Sequence, residues 1–138
     1  MGKQYTYKNW NKENIYDFYV EFNRIEGYNE YCKQWLKYFG IKIDFISKTD
    51  WTYNDIVDIK DFNRVKHNIN IILNAIGKTD NLLQDNNYQY NQTFNDVKAN
   101  EIEEKLKIYL KQIGEWQFTY NMCGLTTCGN SLKLGGIN

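Results

Sequence analysis

The sequence predicts a mainly α protein, either a three-helix bundle or a short array of three helical repeats, that ends in a β-hairpin or an extended arm. Apolar residues recur at steps of three and four in three separate stretches, which places them on one stripe of a helix. Each stretch contains a Phe-Asn motif and runs into a glycine, and the glycines Gly40, Gly77 and Gly114 are spaced by 37 residues. The last part of the chain instead alternates aromatic and polar residues.

The first helix is predicted over about residues 12–39. Ile15 and Phe18 already follow the helical period, so the helix starts upstream of the Phe-Asn motif, and Asn11 is positioned to cap it. The stripe continues with Phe22, Ile25, Cys32, Trp35 and Phe39. Glycine just past a helix adopts the left-handed conformation that satisfies the last carbonyl groups, so Gly40 marks the end.

The second helix is predicted over about residues 59–76, with Asp58 as its cap and Asp61 three residues on. Its stripe consists of Phe62, Val65, Ile69, Ile72 and Ile76. The third helix is predicted over about residues 94–113, where Thr93 and Asp96 repeat the capping arrangement. Its stripe consists of Phe94, Val97, Ile102, Leu106, Tyr109 or Leu110, and Ile113.

The repeated motif is interpreted as structural. It reads FNRI from Phe22, FNRV from Phe62 and FNDV from Phe94, and the Phe lies in the first turn, where it fills the core. The Asn and Arg lie off the stripe and are expected to bond groups of the adjoining loop. A Trp leads the first two loops, and Tyr88 or Tyr90 takes its place in the third. The candidate structural residues are Trp10, Phe22, Asn23, Arg24, Trp51, Phe62, Asn63, Arg64, Phe94 and Asn95.

Three such units bury one another's stripes, whereas one alone cannot. The helical repeats therefore occupy residues 1–114, and the long connections between them leave a compact bundle and an extended array both open.

Residues 115–138 form a separate C-terminal segment. Trp116, Phe118 and Tyr120 alternate with polar residues, as they would in a half-buried strand, and Gly129-Asn130 is a turn signal. An isolated hairpin is marginally stable, so the segment either joins a neighbour's sheet or folds back over the helices. The candidate interface residues are Trp116, Phe118, Tyr120, Leu132 and Leu134.

No pattern in the sequence points to catalysis. His67, the single histidine, lies off its helix stripe, with no Cys, Ser or carboxylate tied to it by spacing. Cys123 and Cys128 form a C-x4-C pair with no second pair; a hairpin disulfide, a metal site and reduced thiols are all open, and reduced thiols are favoured. We therefore expect a non-enzyme with no catalytic residue, no cofactor, no metal and no small-molecule ligand.

The composition and charge of the chain limit the kinds of partner that it is expected to bind. The chain has 138 residues, enough for one domain with a real core. Its 17 basic and 17 acidic side chains give zero net charge, which disfavours nucleic-acid binding. No apolar run reaches the ~20 residues of a membrane span, and no signal peptide is expected. Aromatic residues make up 17% of the chain, which suits contact surfaces as well as a core.

The segment DWTYNDIVDIKDFNRVKHNI resembles one that recurs in tail and baseplate-region proteins of phages and prophages of low-GC Gram-positive bacteria. There, a Trp, a short Asp-containing loop and an Asn-Arg-Ile/Val-Glu helix start occur, sometimes in tandem. The second copy matches at Trp51, Asp55, Ile56, Asp61, Asn63, Arg64, Val65 and Asn68, and the first at Trp10, Ile15, Asn23, Arg24, Ile25 and Glu26. Lys66 replaces the Glu in the second copy, and Asp96 replaces the Arg in the third.

The resemblance covers residues 8–113 and implies a virion structural protein of the tail or baseplate, assembled in the host cytoplasm. Its expected partners are other virion proteins and further copies of itself, arranged by rotational symmetry, without nucleic acid or membrane. Three alternatives stay open: a head-side decoration or head–tail connector protein, a tail module that binds a receptor or glycan through exposed Tyr and Trp, and a DNA-binding helical domain, which the balanced charge disfavours.

Overall fold

The fold is a bundle of three α-helices. The structure, a computed structural model, describes residues 5–11, 17–83 and 96–126, with the backbone alone for the last six. The helices are α1 (Phe18–Tyr38), α2 (Ile59–Ala75) and α3 (Asp96–Thr126), with a 3-10 turn at Thr79–Asn81. Each helix contacts the other two. The repeats therefore form a compact bundle and not an extended array.

All three helices run in the same direction. Residues of α1 contact residues of α3 in the same order along both helices. The N-terminal ends of α1 and α2 also lie together, where the rings of Phe22 and Phe62 are 5.1 Å apart. The pairs that define the α1–α3 direction are Arg24–Glu103, Asn29–Tyr109 and Tyr38–Tyr120. Parallel neighbours require long connections that return from one end of the bundle to the other.

The returning segments lie in the grooves between helices. Residues 41–51 run back along α1: Lys33 Nζ donates to the Phe45 carbonyl at 3.1 Å, and further along, the Lys48 amide donates to Glu26 at 2.9 Å. Asn68 of α2 donates to the Ile46 carbonyl, so the same segment touches both helices. Residues 5–11 lie in the same way between α1 and α3. The extended segments thus supply a second layer of contacts between helices.

The helix ends follow from local chemistry. Asp58 and Asp61 form the reciprocal capping box at the start of α2, as predicted. Gly40 and Gly77 have φ values of +94° and +81°, and the amide after each glycine donates to a carbonyl five residues back, which closes α1 and α2 as predicted. At the start of α1, Asp17 has extended backbone, so the helix begins at Phe18 and not near residue 12.

The core contains most of the predicted stripe residues, with two corrections. Phe18, predicted on the first stripe, is 43% exposed at the start of α1. Val97 was expected in the core but is 60% exposed, whereas Ala99 and Ile102 are buried. The stripe of α3 is therefore displaced from the predicted Phe-Asn motif. Phe94 and Thr93 lie outside the described residues. The fully enclosed side chains include Cys32, Leu36, Ile69, Ile72, Leu73, Leu106, Tyr109, Leu110 and Ile113.

The C-terminal prediction is corrected more substantially. Gly114 does not end the third helix, because α3 continues to Thr126. Residues 115–120, predicted as a strand, are helical, and the remainder of the predicted hairpin, with Leu132 and Leu134, lies outside the described residues. The physical reason is a contact distant in sequence: Trp116 and Tyr120, four residues apart, share one helix face and pack on Phe39 at ring distances of 5.9 Å.

Candidate functional site

The residues of the repeated motif meet in two buried clusters that link the repeats. In the first, the Glu103 node, Glu103 of α3 is 2% exposed and accepts from the Trp10 indole at 2.9 Å and the Lys8 amide at 3.1 Å. The Arg24 guanidinium donates through two nitrogens to its two oxygens. Asn100 bonds both backbone groups of Trp10, at 2.7 and 3.0 Å.

The second cluster, the Glu26 node, repeats this arrangement on α1. Glu26 is fully buried and accepts from the Trp51 indole at 2.8 Å and the Lys48 amide at 2.9 Å. Arg64 donates through Nε and a terminal nitrogen to both carboxylate oxygens. Asn23 bonds the two backbone groups of Trp51 at 2.8 and 2.9 Å. The two nodes therefore have the same residue types, although Arg24 uses its two terminal nitrogens and Arg64 uses Nε and one terminal nitrogen.

Each node satisfies a charge that would be costly to bury alone. A carboxylate removed from water is tolerated when paired and hydrogen-bonded, and each of these accepts four hydrogen bonds. Burial lowers the pKa of Arg24, but its hydrogen bonds and charge contact with Glu103, and then with Glu21, outweigh this and raise the pKa. Burial likewise lowers the pKa of Arg64, but its hydrogen bonds and charge contacts with Glu26 and Asp61 outweigh this and raise the pKa. Both guanidinium groups stay charged.

The matching roles of residues in the two nodes correct the predicted position of the third copy of the motif. Asn23 and Glu26 act on α1 as Asn100 and Glu103 act on α3, so the third copy is Asn100-Glu101-Ile102-Glu103 and not the predicted FNDV. Phe94 and Asn95, the predicted third-copy residues, lie outside the described ranges. In this alignment Asn100 lies 37 residues after Asn63, the same spacing as Gly114 from Gly77.

Each node connects one repeat to the helix of another. Trp51 and Arg64 of the second repeat bind α1 of the first, while Trp10 and Arg24 of the first repeat bind α3 of the third. The corresponding position on α2 is Lys66, which is 3% exposed and places a cation where the other two helices place a carboxylate. Two of the three helices thus carry a buried carboxylate at this position, and the third carries a buried cation.

A buried polar pair lies between α1 and α3 below the Glu103 node. The Tyr109 hydroxyl donates to Asn29 Oδ1 at 2.5 Å, and both side chains are fully buried. Within the part of the chain that the structure describes, the Asn29 Nδ2 group has no hydrogen-bond partner. Burial, followed by the nearby Cys32, raises the pKa of Tyr109 well above its usual range. Burial also raises the pKa of the Cys32 thiol, so this cysteine is an unreactive core residue.

Aromatic side chains cover the C-terminal end of α1. We define the aromatic end cluster as Trp35, Tyr38, Phe39, Trp116 and Tyr120, with neighbouring ring centroids 5.0–6.3 Å apart. Tyr38 is 59% exposed, and Phe118, on a different face of α3, is 63% exposed. Trp116, Phe118 and Tyr120 are three of the five predicted interface residues, and they lie on a helix where a strand was predicted.

Other residues singled out in the sequence do not join a site. His67 is exposed on α2. A surface cavity of about 500 Å³ near the end of α1 is lined by Lys33, Lys37 and Lys42 among others. Lys33 already bonds the Phe45 carbonyl and Glu30, so the cavity does not present three uncommitted cations. Cys128 lies outside the described residues, as does the side chain of Cys123.

The described parts of the chain hold neither a cluster of metal-binding side chains nor a helix that could span a membrane. Within residues 5–11, 17–83 and 96–126, no three His, Cys, Asp or Glu side chains cluster closely enough to hold a metal ion. None of the helices in these ranges combines the length and apolarity needed to cross a bilayer.

Sequence reasoning identified the Trp, Asn and Arg of the nodes but missed Asn100 and Glu103. Glu103 stands in the sequence beside Glu101 and Glu104, which are exposed, although Glu103 itself is buried. The missed signal is the 37-residue spacing of Gly77 and Gly114, which the second and third copies of the motif share. Asn100 precedes Gly114 by the same number of residues as Asn63 precedes Gly77, and Ile102 corresponds to Val65 in the same way. The prediction instead aligned the Phe-Asn pair at Phe94, which places the third copy five residues too early.

Comparison of the chain with protein-family profiles, with curated protein sequences and with solved structures gives no significant match.

Proposed function

We propose that this chain is a non-enzymatic structural subunit of a bacteriophage tail or baseplate, which works through contacts with other virion proteins and with copies of itself. The observation that carries the proposal is the use of the repeated motif. Five side chains of the resemblance to tail and baseplate proteins are bonded within the two nodes: Trp10, Asn23, Arg24, Trp51 and Arg64. The motif is thus a device for joining helices, as a rigid assembly subunit requires.

The chemistry of the nodes supports a structural role over a catalytic one. Glu26 and Glu103 are the most deeply buried carboxylates among the described residues, and internal donors occupy both oxygens of each. A catalytic carboxylate needs a free oxygen within reach of a substrate. The surface that is available for partners is aromatic instead, and Tyr and Trp are enriched in protein interfaces.

The direct test is to locate the chain in particles. A phage that encodes the chain would be purified, and the protein would be sought by mass spectrometry in particles and in the unassembled fraction of the same lysate. We expect it in the particles, and gold-labelled antibody against it at the tail end. Label at the head would favour the decoration or connector alternative. A chain present in the lysate and missing from particles would refute a virion role.

A second candidate function, glycan or receptor binding at the tail, is favoured by the aromatic end cluster. Exposed aromatic rings stack on sugar faces, and Tyr38 offers both a ring and a hydroxyl with 59% exposure. A glycan array probed with the wild-type protein and with Tyr38→Ala distinguishes the two functions. Binding that is lost in the variant supports recognition of sugar, and a blank array leaves the assembly role as the explanation of this surface.

A further inference from the structure

The segment that returns along α1 presents a row of outward side chains at every second position. We define the alternating strip as the residues of this row: Lys42, Asp44, Ile46, Lys48 and Asp50. Ile46, at its centre, is 78% exposed, whereas Phe45 beside it is 7% exposed and lies in the core. Lys48 Nζ pairs with Asp50, two residues on, at 3.0 Å, so these two side chains lie on the same side of the chain. The strip is therefore one continuous row at the surface of the bundle.

The charges of the strip are arranged so that the strip complements itself. From residue 42 to residue 50 their order is basic, acidic, apolar, basic and acidic. When a second copy is reversed and placed face to face with the first, residues at equal distances from Ile46 oppose each other. Lys42 then opposes Asp50, and Asp44 opposes Lys48. A twofold axis beside Ile46, in the plane between the copies, produces this arrangement, and every charge meets its opposite.

A basic cavity lies at one end of the strip. It has a volume of about 500 Å³, and its lining includes Lys37 and Lys42. Lys33 and Lys37 lie seven and eleven residues after Glu26, which places them on the same face of α1 as Glu26. The amide of Lys48, within the strip, donates to Glu26 at 2.9 Å. The cavity and the strip therefore share one side of the bundle.

A turn with two exposed apolar side chains lies at the other end of the strip. The Asp55 amide donates to the Thr52 carbonyl at 3.0 Å and closes the turn. Tyr53 and Ile56 project from it and are 79% and 87% exposed. The turn follows Ile46 in the chain and the cavity precedes it, so a copy reversed about Ile46 places its turn over the cavity of the first copy.

The balance of charge selects a second copy of this chain as the occupant. The strip has two basic and two acidic side chains, so it attracts neither a polyanion nor a strongly basic protein. It is matched by a surface with the same alternation in reverse, and the chain itself carries that surface. The exposed Ile46 gains burial only if the partner is also apolar at the centre, as a second Ile46 is.

We propose that this face is a twofold self-association surface, on which the alternating strips of two copies pack antiparallel with Ile46 at the axis. The turn of each copy, with Tyr53 and Ile56, then enters the basic cavity of the other. The inference rests on the proposed function, since it names one contact through which a structural subunit assembles. The contact uses the same patch on both copies, so it closes at two chains.

Cross-linking at the axis tests the geometry of the pair. In an antiparallel pair the central residue meets its own counterpart, so full-length Ile46→Cys is expected to form a disulfide-linked dimer under mild oxidation, seen on a non-reducing gel. The matched control is Val97→Cys, because Val97 is 60% exposed but lies in the first turn of α3. The wild-type protein accounts for links through its own cysteines.

A pair of charge reversals tests the identity of the partner. Lys42→Asp opposes two acidic side chains at both symmetric contacts, and Asp50→Lys opposes two basic ones. Each variant alone is expected to associate about tenfold more weakly than the wild type. An equal mixture of the two variants restores opposite charges at both contacts, so the mixture is expected to form the dimer that neither variant forms alone.

The readout is the solution mass, measured by size-exclusion chromatography with light scattering over a wide range of concentration. We expect the wild-type mass to fall from two chains towards one on dilution. Circular dichroism of every variant checks that the helices are retained.

Three results would overturn the inference: a wild-type monomer at every concentration, no more cross-linking in Ile46→Cys than in Val97→Cys, or a mixture of charge variants that stays monomeric. A wild-type monomer that is nevertheless found in particles would exclude the pairing and leave the virion role standing. A chain that pairs in solution but is absent from particles would do the reverse.

Discussion

Replacing Glu103 by Gln tests whether the nodes hold the bundle together. The substitution keeps the size of the side chain but removes the negative charge that Arg24 faces and turns one acceptor into a donor. That donor then points at the Trp10 indole, the Lys8 amide or the guanidinium, all of which are donors themselves. The change therefore leaves a buried cation and at least one N–H group without an acceptor.

The size of the effect follows from the burial of the pair. Breaking a buried ion pair by removing one partner costs about 3–5 kcal/mol. The side chains of Glu103 and Arg24 are 3% and 12% exposed, but Arg24 keeps Glu21 at 3.0 Å, so the lower end of that range applies. A loss of about 3 kcal/mol in a chain of 138 residues corresponds to a fall in Tm of about 10 °C.

The assay is reversible unfolding in urea, followed by circular dichroism, with Glu115→Gln as the matched control. Glu115 undergoes the same chemical change, but its pair with Lys111 is 3.8 Å long and the side chains are 58% and 79% exposed, so we expect a loss within about 0.5 kcal/mol. Glu26→Gln should cost about as much as Glu103→Gln, because its donors are equivalent. If Glu103→Gln unfolds at the same urea concentration as Glu115→Gln, the nodes do not stabilise the fold as argued.

Three further predictions concern single positions. Gly40→Ala should destabilise the protein by about 1–2 kcal/mol, because Ala is strained at the φ of +94°. Gly114→Ala, within α3, should instead stabilise it by about 0.5–1 kcal/mol. Urea unfolding in which both variants shift stability in the same direction would contradict this. Asn29→Leu combined with Tyr109→Phe should be more stable than either single variant, because only the double change removes both buried polar partners; a double variant no more stable than the singles by thermal melting would contradict it. Because the pKa of the Tyr109 hydroxyl is raised in the folded protein, its contribution to stability is fully present below the ordinary pKa of 10.0. As the pH rises above that value, this stability is lost by up to ~1.4 kcal/mol per pH unit. Tyr109→Phe should flatten the decline in urea titrations from pH 9 to 11, and an equally steep decline would exclude Tyr109 as its source.

The stability of the subunit and its proposed assembly make separate demands on the chain. The nodes join the helices of one subunit, and their residues are internal. The proposed assembly must therefore use the surface. The exposed large aromatic side chains among the described residues are Phe18 and Tyr53, together with Tyr38 and Phe118 towards the C-terminal ends of α1 and α3.

The fold class and two of the three helices were predictable because their signals act on the local backbone. Gly40 and Gly77 end helices because a positive φ is readily available only to glycine, and Asp58 starts α2 because its side chain accepts from a backbone amide of its own first turn. The apolar stripes of α1 and α2 then predicted buried residues such as Phe22 and Ile69.

The candidate site was predictable in part. The repeats of Trp, Asn and Arg could be read directly, and their assignment to internal contacts followed from their place off the stripe. The carboxylates that join them could not be read in the same way, because Glu103 lies beside Glu101 and Glu104 and only its position on the helix, facing Trp10 and Arg24, separates it from exposed neighbours.

The sequence by itself determined that the chain is mainly helical, where α1 and α2 end, and that its motif residues serve the repeats. Only the tertiary structure decided the path after Gly114. The series Trp116, Phe118 and Tyr120 fits an alternating strand, and it equally fits a helix in which the first and last residues share a face. The choice depends on Phe39, a residue distant in the chain, whose ring packs on both. Local propensity leaves two conformations close in free energy there, and burial of aromatic surface against α1 selects the helix.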